Sequence, residues 1–220
     1  MRIGRNQAAA RSPAIGVHEV ASRPSPWSRI TGSRFEQTRS DILAAAASLF
    51  ASRGWRGTTI AGIAEAAGVA VDTVYASFGS KSALLAAAKD AAKAGDEEDV
   101  PMFDRPAYRG LGEGTREQRL ARAARLIAEV NERTAPLDAA WREAASSDRA
   151  IAARLTEREA RRRDDLTFGL TRVLGGPPDD ASLMGLWAIT SPEVYAKLTH
   201  AGWDRDVYES WLAATLDRLC

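Results

Sequence analysis

The segment from Thr58 to Phe78 constrains this chain more than any other part of it. It has room for two short helices, Ile60 to Ala66 and Val71 to Ser77, with Gly68 at the turn between them. At helical spacing Ile60 and Ile63 share one inward face, and Val74 is the inward residue of the second helix. Gly68 admits the left-handed backbone conformation that a sharp turn requires, and Val69 follows it into the corner. A short helix, a tight turn and a second helix with a free outer face make a helix-turn-helix, which lays its second helix in the major groove of DNA.

Around this segment the apolar pattern is helical throughout. Phe35, Ile42, Ala46, Leu49 and Phe50 fall at helical spacing from about Arg34, and Gly54 supplies a stop. A further helix is expected from Lys81 to Ala94. Gly95 to Gly114, with Pro101, Pro106 and the run Asp96-Glu97-Glu98-Asp99, reads as a solvated connection. Beyond it the expected helices are Arg116 to Arg133, Leu137 to Ala145, Asp148 to Leu174, Asp180 to Thr190, Pro192 to Thr199 and a last one capped by Asp204 and ending near Leu219. No run alternates with period two for long enough to be a strand. The expected fold class is all-α, with residues 34–80 forming a three-helix DNA-binding domain. Residues 81–220 form a second helical domain, whose first helix, 81–94, connects the two. Residues 1–33 show no sustained period and are expected to be a disordered tail.

Charge divides along the same line. Residues 1–95 carry 12 basic and 6 acidic side chains, and residues 96–220 carry 18 and 23. A basic front and an acidic rear fit a nucleic-acid-binding end joined to something else. The tail contributes Arg2, Arg5, Arg11, Arg23 and Arg29, with Arg34 at its end, against the single acid Glu19. That composition suits either a basic arm along phosphates or a passive start. Two histidines, His18 and His200, and one cysteine, Cys220, leave little for nucleophilic or metal chemistry, and no glycine-rich phosphate loop is present. Neither enzyme activity nor a metal or cofactor is expected. Arg161-Arg162-Arg163 with Asp164-Asp165 reads as the exposed face of a long helix. The longest apolar stretch, Ile42 to Phe50, falls far short of a membrane span, and no secretory signal is read at the N-terminus. The expected compartment is therefore the cytoplasm.

Residues 71–85 sharpen the picture. Thr73, Val74, Tyr75, Phe78, Lys81 and Leu84 reproduce the spacing Thr-hydrophobic-Tyr-x-x-Phe-x-x-Lys-x-x-Leu. Upstream, Leu49-Phe50-Ala51-Ser52-Arg53-Gly54 and Thr58-Thr59-Ile60 precede it at matching distances. This stretch, Arg39 to Leu85, resembles the DNA-binding core of the tetracycline-repressor (TetR) family of transcriptional regulators. A second stretch, from Ser191-Pro192-Glu193-Val194-Tyr195 to Trp211-Leu212, is similar to C-terminal segments of some members.

The resemblance implies a palindromic double-stranded DNA operator, a homodimer, and a small-molecule effector that releases the protein from DNA as a repressor. It also assigns residues. Thr59, Tyr75 and Lys81 would meet phosphate, through a hydroxyl at a helix cap, a phenol and an ammonium at a helix start. Ala70, Val71, Asp72, Thr73, Ala76 and Ser77 would line the groove. There valine and alanine suit a thymine methyl, threonine a methyl or a hydrogen bond, and aspartate cytosine N4. Each has a plainer reading: Tyr75 as a core aromatic, Lys81 as a solvated lysine, Thr59 as a cap alone, Asp72 as a helix-dipole partner.

The chain departs from the family where serine usually caps the recognition helix (Ala70), where a basic residue often follows (Val71), at Ala76 and Ser77, and at Gly62, often acidic. With no Lys or Arg on that helix, positive charge is expected from Lys81, Arg53, Arg56 and the tail.

For the rear domain the resemblance implies an effector pocket, for which Leu126, Val130, Trp141, Phe168 and Met184 are candidate liners or plain core residues. It also implies a dimer interface on the last two long helices, from Leu183, Leu186 and Trp187 with Tyr208, Trp211, Leu212 and Leu216. Two alternatives remain open: a helix-turn-helix protein without effector control, and a helical interaction module.

Overall fold

A computed structural model describes residues 26–95 and 100–219, with the side chains of 26–33 and of Met102 left aside. Residues 1–25, with Arg2, Arg5, Arg11 and Arg23 of the basic arm, the acidic run at 96–99 and Cys220 lie outside the described residues. The order of helices is α1 (Pro26–Gly57), α2 (Ile60–Ala66), α3 (Val71–Phe78), α4 (Lys81–Ala94), α5 (Pro106–Arg109), α6 (Arg116–Ala145), α7 (Arg149–Leu174), α8 (Asp180–Ile189), α9 (Pro192–His200) and α10 (Arg205–Leu219). Among the described residues there is no strand.

Local chemistry accounts for most boundaries. The Thr59 hydroxyl accepts from Gly62 N–H at 3.0 Å and starts α2, and Ser80 accepts from Ala83 N–H at 3.1 Å and starts α4. Asp148, Asp179 and Asp204 do the same for α7, α8 and α10. Gly95 and Gly175 end α4 and α7 with φ of 87° and 82°.

Two expectations fail. The backbone of α1 is helical from Pro26 rather than from Arg34; proline's fixed φ suits a first turn, and no proline follows until the chain has left the helix. The expected break between Arg133 and Leu137 is absent, because α6 runs unbroken through Pro136. Proline cannot donate to the carbonyl four residues back, but packing on both sides holds the helix together. Thr134, Ala135, Leu137 and Asp138 are all buried there.

Pro136 lies where α6 passes between two cores. The front core joins Ile42, Ala46 and Phe50 of α1, Ile60 and Ile63 of α2, Val74 of α3 and Leu84, Leu85 and Ala88 of α4. The last turns of α6 complete it with Leu137, Ala140, Trp141 and Ala144. The rear core joins the first half of α6 and the second half of α7 to Leu186 of α8, Tyr195 of α9 and Tyr208, Leu212 and Leu216 of α10. One helix thus serves both halves.

Candidate nucleic-acid interface and rear cavity

The α2–α3 pair bends by 107°, within the range of a helix-turn-helix. Gly68 takes φ 67° at the corner, and Val69 N–H reaches back to the Ala64 carbonyl at 2.9 Å. Ile60, Ile63 and Val74 are buried beneath the turn, as the spacing predicts.

The outer face of α3 is left free. Ala70, Val71, Asp72, Tyr75 and Ala76 are exposed, while Thr73 and Ser77 are half-buried. Tyr75 keeps half of its surface in solvent, which sets aside its reading as a core aromatic. Ala70 gives α3 no side-chain cap. The groove-facing set and Tyr75 therefore share one accessible surface, with the exposed Thr59 at the adjoining end of α2.

Lys81 is less free than its position suggests. Its ammonium donates to the Trp55 carbonyl and lies 4.1 Å from the centre of the Trp55 indole. Burial lowers its pKa, with the charge of Glu143 acting the other way. Sequence reasoning missed Arg39 on α1 as a neighbour of the reading helix. Its guanidinium stacks 4.3 Å from the Phe78 ring and donates to the Ser77 carbonyl at 3.2 Å, placing a cation at the C-terminal end of α3.

The rear half holds a partly open cavity of about 120 Å³ between α6, α7 and the connection. Of the five candidate liners, Leu126 and Val130 face this cavity and the other three do not. Trp141 is fully buried in the front core, because α6 has crossed Pro136 by that point. Phe168 packs on Phe103 with ring centres 4.1 Å apart, and Met184 is exposed on α8.

The polar lining escaped sequence reasoning. Arg162 and Asp165, expected on an exposed face, are half-buried and turn to the cavity, whereas Arg161, Arg163 and Asp164 remain outside. Helical period separates them, and a run of charges hides it. Lys93 of α4 pairs with Asp165 across the wall. The buried Asn131 amide donates to the Thr190 carbonyl at 3.0 Å and to the Tyr208 hydroxyl at 3.3 Å. Burial, reinforced by the Asp165 charge, pushes the Tyr108 phenol up to about 12, so it remains a neutral donor.

Of the expected interface residues, Leu186, Tyr208, Leu212 and Leu216 are fully buried inside the chain and cannot face a second copy. Leu183, Trp187 and Trp211 are half-buried. The core takes the large apolar stripe of each helix first. Beside charged residues, the exposed faces carry Ala181, Met184, Gly185 and Ala188 on α8, and Val207, Ser210, Ala214 and Leu219 on α10.

Asp138, Glu159 and Glu193 bring three carboxylates within 4.8 Å of one another. Lys89, Arg142 and Arg162 answer them: Lys89 pairs with Asp138, and Arg142 pairs with Asp138 at 3.1 Å, with Glu159 at 3.3 Å and with Glu193. Arg162 meets Glu159 at 3.1 Å. The group is an ion-pair network tying α4 to α6, α7 and α9.

No curated protein matches the sequence. Solved structures share the fold. One is a Rhodococcus sp. protein assigned to the TetR-family transcriptional regulators, at TM-score 0.61 and 21% identity over 84% of this chain and 98% of that one. Another is a TetR-like transcriptional regulator from Rhodococcus sp. RHA1, at 0.56 and 18% over 82% and 94%. A third, from Pseudomonas aeruginosa PAO1 and assigned as a transcriptional regulator, gives 0.60 and 20% over 86% and 95%. At these identities the likeness establishes the fold. Residues 42–88 match the model of the bacterial regulatory proteins of the tetR family. Those residues hold the helix-turn-helix and its supporting core. The chain carries, at residues 42–88, a helix-turn-helix domain of the kind described for the bacterial regulatory proteins of the tetR family, on a fold shared with solved proteins assigned as transcriptional regulators.

Proposed function

We propose that the protein is a repressor that binds a palindromic operator as a homodimer and leaves it when a small effector enters the rear cavity. The observation that carries the DNA half of this reading is the free outer face of α3, with Val71, Asp72, Tyr75 and Ala76 exposed while Val74 anchors the helix from behind. Thr73 and Ala76 read bases with Val71, Asp72, Ala70 and Ser77. Thr59, Tyr75 and Lys81 hold phosphates, Lys81 by exchanging the Trp55 carbonyl for a phosphate oxygen. Such a protein acts where DNA is, in the cytoplasm. Among the described residues no single helix is long and apolar enough to cross a membrane.

The effector reading rests on the cavity. Along α7, Arg162 and Asp165 precede Leu166, Leu170 and Val173, and along α6 Leu126 and Ile127 precede Asn131. The two helices run antiparallel across a short turn, so one end is polar and the other apolar. An apolar engineered cavity of about 150 Å³ holds one benzene ring; the effector is accordingly a small amphipathic molecule. Lys93 belongs both to the cavity wall and to α4, the helix that leaves the DNA-binding domain, so occupancy and DNA binding share an element.

A second copy covers the exposed faces of α8 and α10. Salt titration of DNA binding tests the contact assignment. Lys81→Ala and Tyr75→Phe are expected to weaken operator and random duplex alike, while changes at Thr73 or Ala76 alter base preference. Lys81→Ala should reduce the slope of log K against log salt by about 0.9 per protomer. An unchanged slope removes Lys81 from the phosphate contacts.

A further inference from the structure

In the last turns of α6, beyond Pro136 and within the front core, one carboxylate reaches the DNA-binding helices. Glu143, near the end of α6, accepts a hydrogen bond from the Trp55 backbone N–H at 2.7 Å. Its other oxygen stands 3.7 Å from Arg56 Nε. Gly54 makes this approach possible: it holds φ 67°, and a Cβ there would lie 2.7 Å from the Glu143 carboxylate. The buried Thr58 hydroxyl closes the same turn, donating to the carbonyls of Leu49 and Gly54 at 3.0 and 2.8 Å. The carbonyl and ring of Trp55 then hold the Lys81 ammonium. One residue thus connects α6 to the start of α4, with its N–H taken by Glu143 and its carbonyl by Lys81.

We propose that Glu143 is a positioning residue of the DNA-binding surface: it fixes the Gly54–Trp55 turn and holds Lys81 and Arg56 back from phosphate. The proposal rests on reading Lys81 as a phosphate ligand. The carboxylate has two opposed effects. As an acceptor it keeps the turn, and with it Thr59 and Lys81, in place. As a negative charge it competes with DNA for two cations, so binding must release them from it. Glu143 does this from α6, the helix that also lines the rear cavity through Leu126, Val130 and Asn131. A shift of α6 therefore reaches the DNA face directly, without passing through α4.

Substitution separates the two effects. Glu143→Gln keeps an acceptor for the Trp55 N–H and removes the charge. Glu143→Asp keeps the charge and withdraws the acceptor from reach. The measurement is the affinity of the full chain for a random-sequence duplex at several salt concentrations, with folding checked by thermal melts. Glu143→Gln is expected to bind several-fold tighter at low salt with its slope unchanged, because Lys81 and Arg56 meet phosphate in both chains and only the competing carboxylate is lost. Glu143→Asp should bind more weakly than the unaltered chain with its slope unchanged. In a Lys81→Gln, Arg56→Gln background the gain from Glu143→Gln should vanish.

A Glu143→Gln chain with the original affinity overturns the proposal, as does a gain that survives loss of both cations. Should Glu143→Gln prove unfolded, Glu143→Asp binding as tightly as the original overturns it equally. Lys81→Gln alone tests the underlying reading: an unchanged slope there refutes Lys81 as a phosphate ligand whatever Glu143 does.

Discussion

Gly185→Arg is expected to give a folded monomer that binds operator DNA about 10²–10⁴-fold more weakly than the original chain. Gly185 lies on the exposed face of α8 beside Ala181, Met184 and Ala188, and a Cβ added there meets nothing within 4 Å. The substitution therefore fits the isolated chain, and it improves helix propensity by somewhat under 1 kcal/mol. In a four-helix contact between two copies the small residue lets helices approach closely, and a buried unpaired guanidinium forbids it. The loss of DNA affinity follows from linkage. Two tethered reading helices gain avidity of about 10²–10⁴ over one without any new contact. Sedimentation should fall from twice 23.7 kDa to that single mass. A dimer that survives Gly185→Arg places the interface elsewhere.

Asp138→Ala should cost about 3–5 kcal/mol of folding stability, the penalty of breaking a buried ion pair from one side. The Asp138 side chain is 2% exposed and accepts from Lys89, which is 13% exposed, and from Arg142. Without it only Glu159 and Glu193 offset Arg142 and Arg158 around Lys89. Burial, with Arg158 pushing the same way, already brings the Lys89 ammonium down to about 7 from 10.5. A lysine whose folded pKa lies below its unfolded one makes stability rise with pH between the two values, here from about 7 to 10.5. Removing the carboxylate lowers the folded value further and extends that window below 7. The deficit of the variant should therefore widen from about pH 8 to about pH 6. Urea melts at both values measure it; a loss under about 1 kcal/mol, or one that narrows on acidification, contradicts the network's role.

The two halves were unequally legible in the sequence. Helices α2, α3, α4, α8 and α9 follow from signals a few residues long: Thr59, Ser80, Asp179 and Ser191 as caps, Gly68 and Gly95 at positive φ. The helix-turn-helix was readable for the same reason, since its corner and inward residues lie within one short segment. What failed depends on distant packing. Pro136 signals a break that two cores override. Arg162 and Asp165 turn inward because α4 and α8 supply Lys93 and the Trp187 carbonyl as partners. The apolar stripes of α8 and α10 were readable as stripes, but not which neighbour they meet, and the small residues left outside send no hydrophobic signal. Lys81 shows the same limit: its position was readable, and its engagement by Trp55 was not.

Selection of genomic fragments by the full chain, followed by footprinting and a mass measurement of the complex, tests the central claim most directly. The account predicts two chains on one inverted repeat, with protected half-sites facing consecutive major grooves on one side of the duplex, about 34–36 Å apart or a multiple of that. A single chain bound to an unrepeated site, or protection without any shared sequence, would contradict it.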